Sequence, residues 1–260
     1  MSFEHGPYEI ITIPCNSDNY VYLIVRDGKA AVVDASESGP IIRAVRDRNV
    51  VLRDVILTHH HDDHIQGLDA ILSELGGDIR VIGAKADQHR LPSLDLALGD
   101  GDSFDLLGAE VQTMDVSGHT IGHLAFYMPE AGAAFTADSL MALGCGRVFE
   151  GTMEQMWASL SKIAALPGET MICSGHEYTE SNGRFALTIE PENPALVARM
   201  EQVKSARARG EPTVPTRLST ELQTNPFLRA HLEEVKSGLN MHGESDAAVF
   251  GEIRRRKDSF

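Results

Sequence analysis

Through the first two-thirds of the chain, short apolar or β-branched runs alternate with clusters of turn residues. Val21–Val25, Ala31–Val33, Val55–Thr58, Val81–Gly83, Val111–Asp115, Leu124–Tyr127, Ala133–Thr136 and Met171–Cys173 have the length and flanks of strands in a buried sheet. Helical periods lie between some of them. Ile65, Leu68, Leu72 and Leu75 share one helical face, which Gly76-Gly77 ends. Thr152 and Gln155 form a capping-box pair ahead of a face made by Met153, Met156, Trp157, Leu160 and Ile163. Interleaved strands and helices predict an α/β class with sheets covered by helices. After Cys173 the pattern changes. Leu196, Met200 and Val203 repeat with a helical period, as does Ala247, Ala248 and the run to Arg256 behind a capping Ser245. Pro191, Pro194, Pro212 and Pro215 cut this stretch into short pieces. The pattern therefore predicts two domains, residues 1–173 (α/β) and residues 174–260 (small and mostly helical).

Composition narrows the function. The 260 residues carry a formal charge of −15, a field that repels phosphate backbones and anionic lipid. No nucleic-acid or membrane partner is expected, and no apolar run approaches the roughly 20 residues that span a bilayer. The N-terminus lacks the basic and apolar regions of a secretory signal. Cys15, Cys145 and Cys173 are odd in number and widely spaced, which fits free thiols in a reducing cytoplasm. The charge and motifs are compatible with a monomer. Histidine is the unusual feature, because seven of the eleven fall in three short clusters.

The densest cluster is Thr58-His59-His60-His61-Asp62-Asp63-His64, between a predicted strand and a predicted helix. Its ligand side chains read HxHxDH. On an extended turn His59 and His61 point to the same side and can chelate one ion. Asp63 and His64, at the helix entrance, turn toward a second. Imidazole and carboxylate donors in this mix suit Zn²⁺ or a similar first-row ion, with Fe and Mn²⁺ also tolerated. Three more segments each offer a donor just past a predicted strand. They are Ser117–His123 with His119, Phe135–Ser139 with Asp138, and Ser174–Thr179 with His176. Seven donors shared between two ions, with one carboxylate bridging, leave an open position for hydroxide. His60 and His123 read as packing residues or as groups that fix a ligand tautomer.

The THHHDDH run, followed by GHT, TADS and GHEYT, resembles the metallo-β-lactamase superfamily. Within it the chain resembles the glyoxalase II (hydroxyacylglutathione hydrolase) family. HxHxDH marks only the superfamily. The narrower likeness is carried by Ile13–Tyr20, Gly144–Thr152, GHEYT, Thr224–Arg229 and Arg254–Phe260. The resemblance implies an αββα sandwich followed by a helical glutathione-binding domain. It implies one ion on His59, His61 and His119, a second on Asp63, His64 and His176, and Asp138 with a hydroxide bridging both. Asp63 and Asp138 thereby take part in catalysis. Glutathione would be held by Arg147, Tyr178, Arg254 and Lys257, with Phe149 at the same subsite. Phe149 stands where many relatives carry Tyr, and Asp62 where His or Trp is commoner. Ala35-Ser36 replaces a usual Pro-Gly, and Gln66 a common Gly.

The implied activity is hydrolysis of S-D-lactoylglutathione to D-lactate and glutathione, as in methylglyoxal detoxification. A thiolate is a good leaving group, so no dedicated general acid is needed, and none stands out in the motifs. On residue physics alone, Arg254–Lys257 also reads as a solvated helix end complementing the helix dipole. Tyr178 reads equally as packing or as a hydroxyl contact. Cys145 has no histidine beside it in sequence to activate it as a nucleophile. Competing readings are another hydrolase of the superfamily such as a lactonase, a mononuclear iron persulfide dioxygenase, and a non-catalytic glutathione- or metal-binding protein. The full second ligand set argues against the dioxygenase. The net charge disfavours a nuclease.

Overall fold

The computed structural model describes residues 1–260 and divides the chain into two compact units. The first comprises Met1–Asp115 and Ile121–Thr136; the second comprises Val116–Thr120 and Ala137–Phe260. No helix is long and apolar enough to cross a membrane.

The first unit is an α/β sandwich. Its elements are β1 (Ser2–His5), β2 (Tyr8–Cys15), β3 (Asn19–Arg26), β4 (Lys29–Val33), α1 (Ser38–Asp47), β5 (Val51–Ile56), α2 (Asp62–Ile65), α3 (Leu68–Leu75), β6 (Arg80–Ala84), β7 (Leu96–Leu98), β8 (Ser103–Leu106), β9 (Ala109–Asp115), β10 (Leu124–Met128) and β11 (Ala133–Ala137). One sheet runs β1 to β7 in chain order. It is antiparallel through β4 and parallel from β4 to β7. β8 to β11 pair antiparallel in succession. The inner faces meet through residues such as Tyr22 and Phe135, whose rings lie 5.8 Å apart. Both are buried. Covering a large ring of this kind stabilises the fold by roughly 2–3 kcal/mol. α1 buries Ile41, Ile42 and Val45, and α3 buries Leu68 and Ile71.

Two departures from the periodic pattern have local causes. The predicted helical face from Ile65 is split into α2 and α3, with Gln66 and Gly67 between them. Gly67 donates its N–H to Ala35 O at 2.7 Å, and a Cβ there would come within 2.7 Å of that same oxygen. The chain must turn where its backbone touches residues 35–38, and Ile65 and Leu72 are left only half-buried. β5 ends at Ile56 rather than Thr58, because the Thr58 N–H is taken by the Asp34 carboxylate at 2.9 Å instead of a neighbouring strand.

The second unit contains β12 (Leu140–Met141), β13 (Gly144–Cys145), α4 (Met153–Ala164), β14 (Met171–Ser174), α5 (Thr179–Ile189), α6 (Pro194–Ala208), β15 (Thr216–Arg217), α7 (Leu218–Thr224), α8 (Glu233–Gly238) and α9 (Asp246–Asp258). The Thr152–Gln155 capping box opens α4, with both reciprocal bonds formed. Ser245 caps α9 through Ala248 N–H. The buried face of α9 is Val249, Phe250, Ile253 and Arg254, rather than Ala247 and Ala248, which are half-buried. Phe227 joins this core, 5.9 Å from Phe250 and 6.0 Å from Phe185. Leu143 of the β12–β13 turn is buried with Ala186, Leu196 and Met200 of α5 and α6.

Candidate metal centre

The first unit supplies four donors from one loop after β5. His59 and His64 are fully buried, and His61 and Asp63 are half-buried. The donor atoms of His59 lie within 4.8 Å of those of His61 and His64, and Asp63 lies as close to His64. His59 Nε2 and His61 Nδ1 are 3.2 Å apart, the spacing of a chelate. Three of the four are oriented by neighbours. Thr58 Oγ1 lies 3.0 Å from His59 Nδ1 and 3.0 Å from both Asp34 oxygens. The hydroxyl can donate to Asp34 and accept from His59 Nδ1–H, leaving His59 Nε2 as a lone-pair donor. Asp34 also accepts from His64 Nδ1 at 2.8 Å, leaving Nε2 of His64 beside Asp63 Oδ2 at 3.5 Å. Asn19 donates to Asp63 Oδ2 at 2.9 Å.

The second unit supplies three donors, two imidazoles around one carboxylate. His119 Nε2 and His176 Nε2 lie 3.5 and 3.3 Å from Asp138 Oδ2, and all three side chains are almost fully buried. His119 Nδ1 donates to Arg147 O at 2.8 Å, which again commits Nε2 to the carboxylate side. Ala137, immediately before Asp138, has φ +40°, a strained value that aims the next side chain. Gly146 is required at this site. A Cβ there would stand 2.0 Å from Asp138 O and 2.9 Å from His119 Nδ1.

These donors fit divalent ions on their chemistry. His64 and His119 each have Nδ1 tied back and Nε2 turned to a carboxylate, and His59 has Nδ1 tied to Thr58, with carboxylate oxygens among the donors, as first-row metals bind. His60 and His123 are support groups. His60 Nδ1 is 2.8 Å from the buried Asp87 carboxylate, which also pairs with Arg90. The His123 ring stacks on His59 at 4.6 Å. Sequence reasoning missed Asp34, Thr58 and Asn19 as orienting groups. The signal for Asp34 is conformational, since it holds φ +66° directly after β4.

The residues expected to hold glutathione all lie in the second unit. Arg147 and Phe149 are exposed, and the Phe149 ring sits 5.2 Å from that of His119. Tyr178 stacks flat on His176 at 4.8 Å and is 38% exposed. Arg254, on α9, is buried. Its guanidinium donates to Cys145 O at 2.9 Å and to Asp258 at 2.8 Å, and lies 5.1 Å over the Phe227 ring. Lys257 is half-buried, with Nζ 5.5 Å from the Phe185 centroid and 5.4 Å from that of Phe260. Burial holds its pKa below the usual lysine value, with the charges of Arg254, Arg184 and Arg147 adding to the shift and Asp258 opposing it. Burial pushes the Cys145 thiol up to about 11, so it stays protonated at neutral pH.

The Lactamase_B profile, described as the metallo-beta-lactamase superfamily, matches residues 17–176. The HAGH_C profile, hydroxyacylglutathione hydrolase C-terminus, matches residues 177–260. A protein from Roseobacter denitrificans named hydroxyacylglutathione hydrolase is 56% identical over 98% of this chain and all of its own length. One of the same name from Ruegeria pomeroyi is 58% identical over the same shares. Among solved structures, the BLEG-1 B3 metallo-beta-lactamase superposes with a TM-score of 0.65 at 20% identity, covering 84% of this chain and 99% of its own. ETHE1 from Myxococcus xanthus gives a TM-score of 0.62 at 20% identity, covering 97% and 98%. At that identity the structures speak for the fold, and the full-length sequence relatives for the family. With two contiguous profiles spanning residues 17–260 and relatives above half identity end to end, the chain belongs to the hydroxyacylglutathione hydrolase family of the metallo-β-lactamase superfamily.

Proposed function

We propose that this chain hydrolyses the thioester of S-2-hydroxyacylglutathione, with S-D-lactoylglutathione as the substrate, to a hydroxy acid and glutathione. The observation that carries the reading is the pair of buried donor sets, each pre-oriented by Asp34 and Thr58 or by Arg147 O, in a chain of this family. One divalent ion would be held by His59, His61 and His119 and a second by Asp63, His64 and His176, with Asp138 available to both. Zn²⁺ fits these donors best, with Fe or Mn²⁺ as alternatives. When bound, two such ions supply Lewis acidity, making hydroxide available near neutral pH and drawing charge from the thioester carbonyl.

The chain's own residues do the rest. Asp34 and Thr58 keep His64 and His59 in the ligating tautomer. Asp63 and Asp138 add the negative charge that retains the ions. Arg147 and Lys257 present cations to the glutathione carboxylates on a protein whose net charge would otherwise repel them. Tyr178 and Phe149 offer apolar faces beside His176 and His119 for the thioester stem. Water oxygen bonds to the acyl carbon and gives up its protons to solvent, the C–S bond breaks, and its electron pair leaves on the glutathione sulfur. The departing thiolate needs no proton donor, because its conjugate acid has a pKa of roughly 8.5. Free, buried cysteines suit a reducing compartment such as the cytoplasm, where the chain acts as a monomer.

The test is thiol release from S-D-lactoylglutathione, compared with an acyl-coenzyme A thioester and a lactone. Preference for the glutathione ester supports the reading. Turnover of the lactone or of the coenzyme A ester alone would overturn the substrate class.

A further inference from the structure

The β12–β13 hairpin joins Asp138 to Arg147, and it is short. Leu140 pairs with Cys145 and Met141 with Gly144, so Ala142 and Leu143 form the turn, Leu143 at φ +56°. All of these residues are buried. Its outward backbone groups would go unsatisfied in such a place without partners, which is costly for buried polar atoms. Side chains from the C-terminal helices take them. Asn225, just after α7, donates Nδ2 to Met141 O at 3.1 Å and to Gly144 O at 3.0 Å. Asn182 of α5 donates to Ala142 O at 3.1 Å, and Arg254 to Cys145 O at 2.9 Å. Leu143 N–H donates to Glu221 Oε2 at 2.9 Å.

Asn225 is itself held. Its Nδ2 lies 3.1 Å from Glu221 Oε2, and its Oδ1 accepts from Phe227 N–H at 3.1 Å. Glu221 is fully buried and ion-paired with Arg199, whose guanidinium also reaches Thr224 Oγ1 at 2.6 Å and Thr216 Oγ1 at 3.2 Å. The amide is therefore fixed in orientation, with its donors on the hairpin. What the hairpin holds is functional at both ends. Gly146 N–H closes back on Ser139 O at 3.2 Å, directly beneath Asp138. Arg147 O accepts from His119, while its side chain, which the hydrolase reading assigns to glutathione, is exposed and lies 3.6 Å from Asp258 Oδ1.

We propose that Asn225, seated by Glu221 and Arg199, is a positioning residue for thioester hydrolysis. It holds the 140–145 hairpin in register and so sets where Arg147 stands relative to Asp138. The inference rests on the hydrolase reading above, and it adds a task for the C-terminal helices beyond lending Lys257 to the substrate. His119 keeps other ties, because Phe149 N–H reaches His119 O at 3.3 Å and Gly151 N–H reaches Gly118 O at 3.1 Å. A loosened hairpin should thus move the anchor more than the ligand, and the loss should fall on KM. A shift of about 1 Å in such a group is worth up to ~100-fold.

Metal-loaded parent and Asn225→Ala enzyme are compared for metals per chain, melting temperature, and kcat and KM on S-D-lactoylglutathione. A lactoyl thioester of N-acetylcysteamine, which has no carboxylate for Arg147 to hold, is run beside it. The expected result is unchanged metal content, KM raised about tenfold, kcat within about threefold, and the small thioester within about twofold. A lower melting temperature with KM unchanged would reduce Asn225 to a structural role and overturn the proposal. An equal loss on both thioesters would overturn it too, by placing the effect at the reacting centre. If Asn225→Ala does not fold, Asn182→Ala, which removes the Ala142 bond alone, must show the same split at smaller size. An inactive parent would count against the hydrolase reading instead. Calorimetric affinity for glutathione in parent and variant then still decides the clamp.

Discussion

The Asp34→Asn substitution exchanges one carboxylate oxygen for an amide NH2 where β4 ends and the metal loop is held. Asp34 is 2% exposed. Its Oδ1 accepts from Thr58 N–H at 2.9 Å, and its Oδ2 from His64 Nδ1 at 2.8 Å. An asparagine can keep its oxygen on Thr58, but its NH2 then faces His64 Nδ1. Either two N–H groups oppose each other, or the imidazole moves its proton to Nε2. That second tautomer makes Nε2, the nitrogen 3.5 Å from Asp63 Oδ2, useless as a ligand. The bond lost is charge-assisted and buried, worth about 1.5–3 kcal/mol. Outer groups of this kind typically change metal affinity 10–100-fold, which is about 1.4–2.7 kcal/mol. Competition with a chromophoric chelator should show one of the two proposed ions weakened by that factor and the other much less affected. Two unaltered affinities in folded Asp34→Asn protein would refute the tautomer reasoning.

Other outcomes follow from single contacts. Gly146→Ala should lose metal and activity together, since its Cβ would meet Asp138 O at 2.0 Å; metal analysis of the purified variant checks this. Arg254→Ala should cost about 2–3 kcal/mol in urea unfolding, because Cys145 O loses its buried donor and Phe227 its cation. Lys257→Ala should leave the urea midpoint nearly unchanged while raising KM, so the two neighbours separate in one pair of assays. The Lys257 ammonium is held below the usual lysine pKa by burial and by Arg254, Arg184 and Arg147. Its contact with a glutathione carboxylate exists below that lowered value and disappears above it. KM should therefore rise with pH before the ordinary lysine range near ~10.4 is reached, and Lys257→Arg should abolish the rise.

The candidate metal donors are legible in the sequence because their signals are local. HxHxDH needs only period-two alternation and a helix start, and each later donor follows a recognisable strand. The orienting groups are not. Asp34 and His64 are 30 positions apart, and Asn225 and Met141 are 84 apart, so no window of sequence links them. Short strands such as β12, β13 and β15 carry two residues each, too few for a period to register. The α2–α3 break depended on Gly67 meeting Ala35 O, a tertiary contact that overrides a continuous apolar face. Arg254 reads in the sequence as a glutathione contact or as part of a solvated helix end with Lys257; its burial against Cys145 O, 109 positions away, is not encoded in the pattern of a single helix.

The most direct measurement is stepwise return of Zn²⁺ to chelator-stripped protein, with metal per chain and thiol release from S-D-lactoylglutathione followed together. The proposed binuclear centre predicts negligible turnover in stripped protein and full activity at about two ions per chain. Full activity at one ion, or turnover in protein shown to be metal-free, would contradict a binuclear hydrolase.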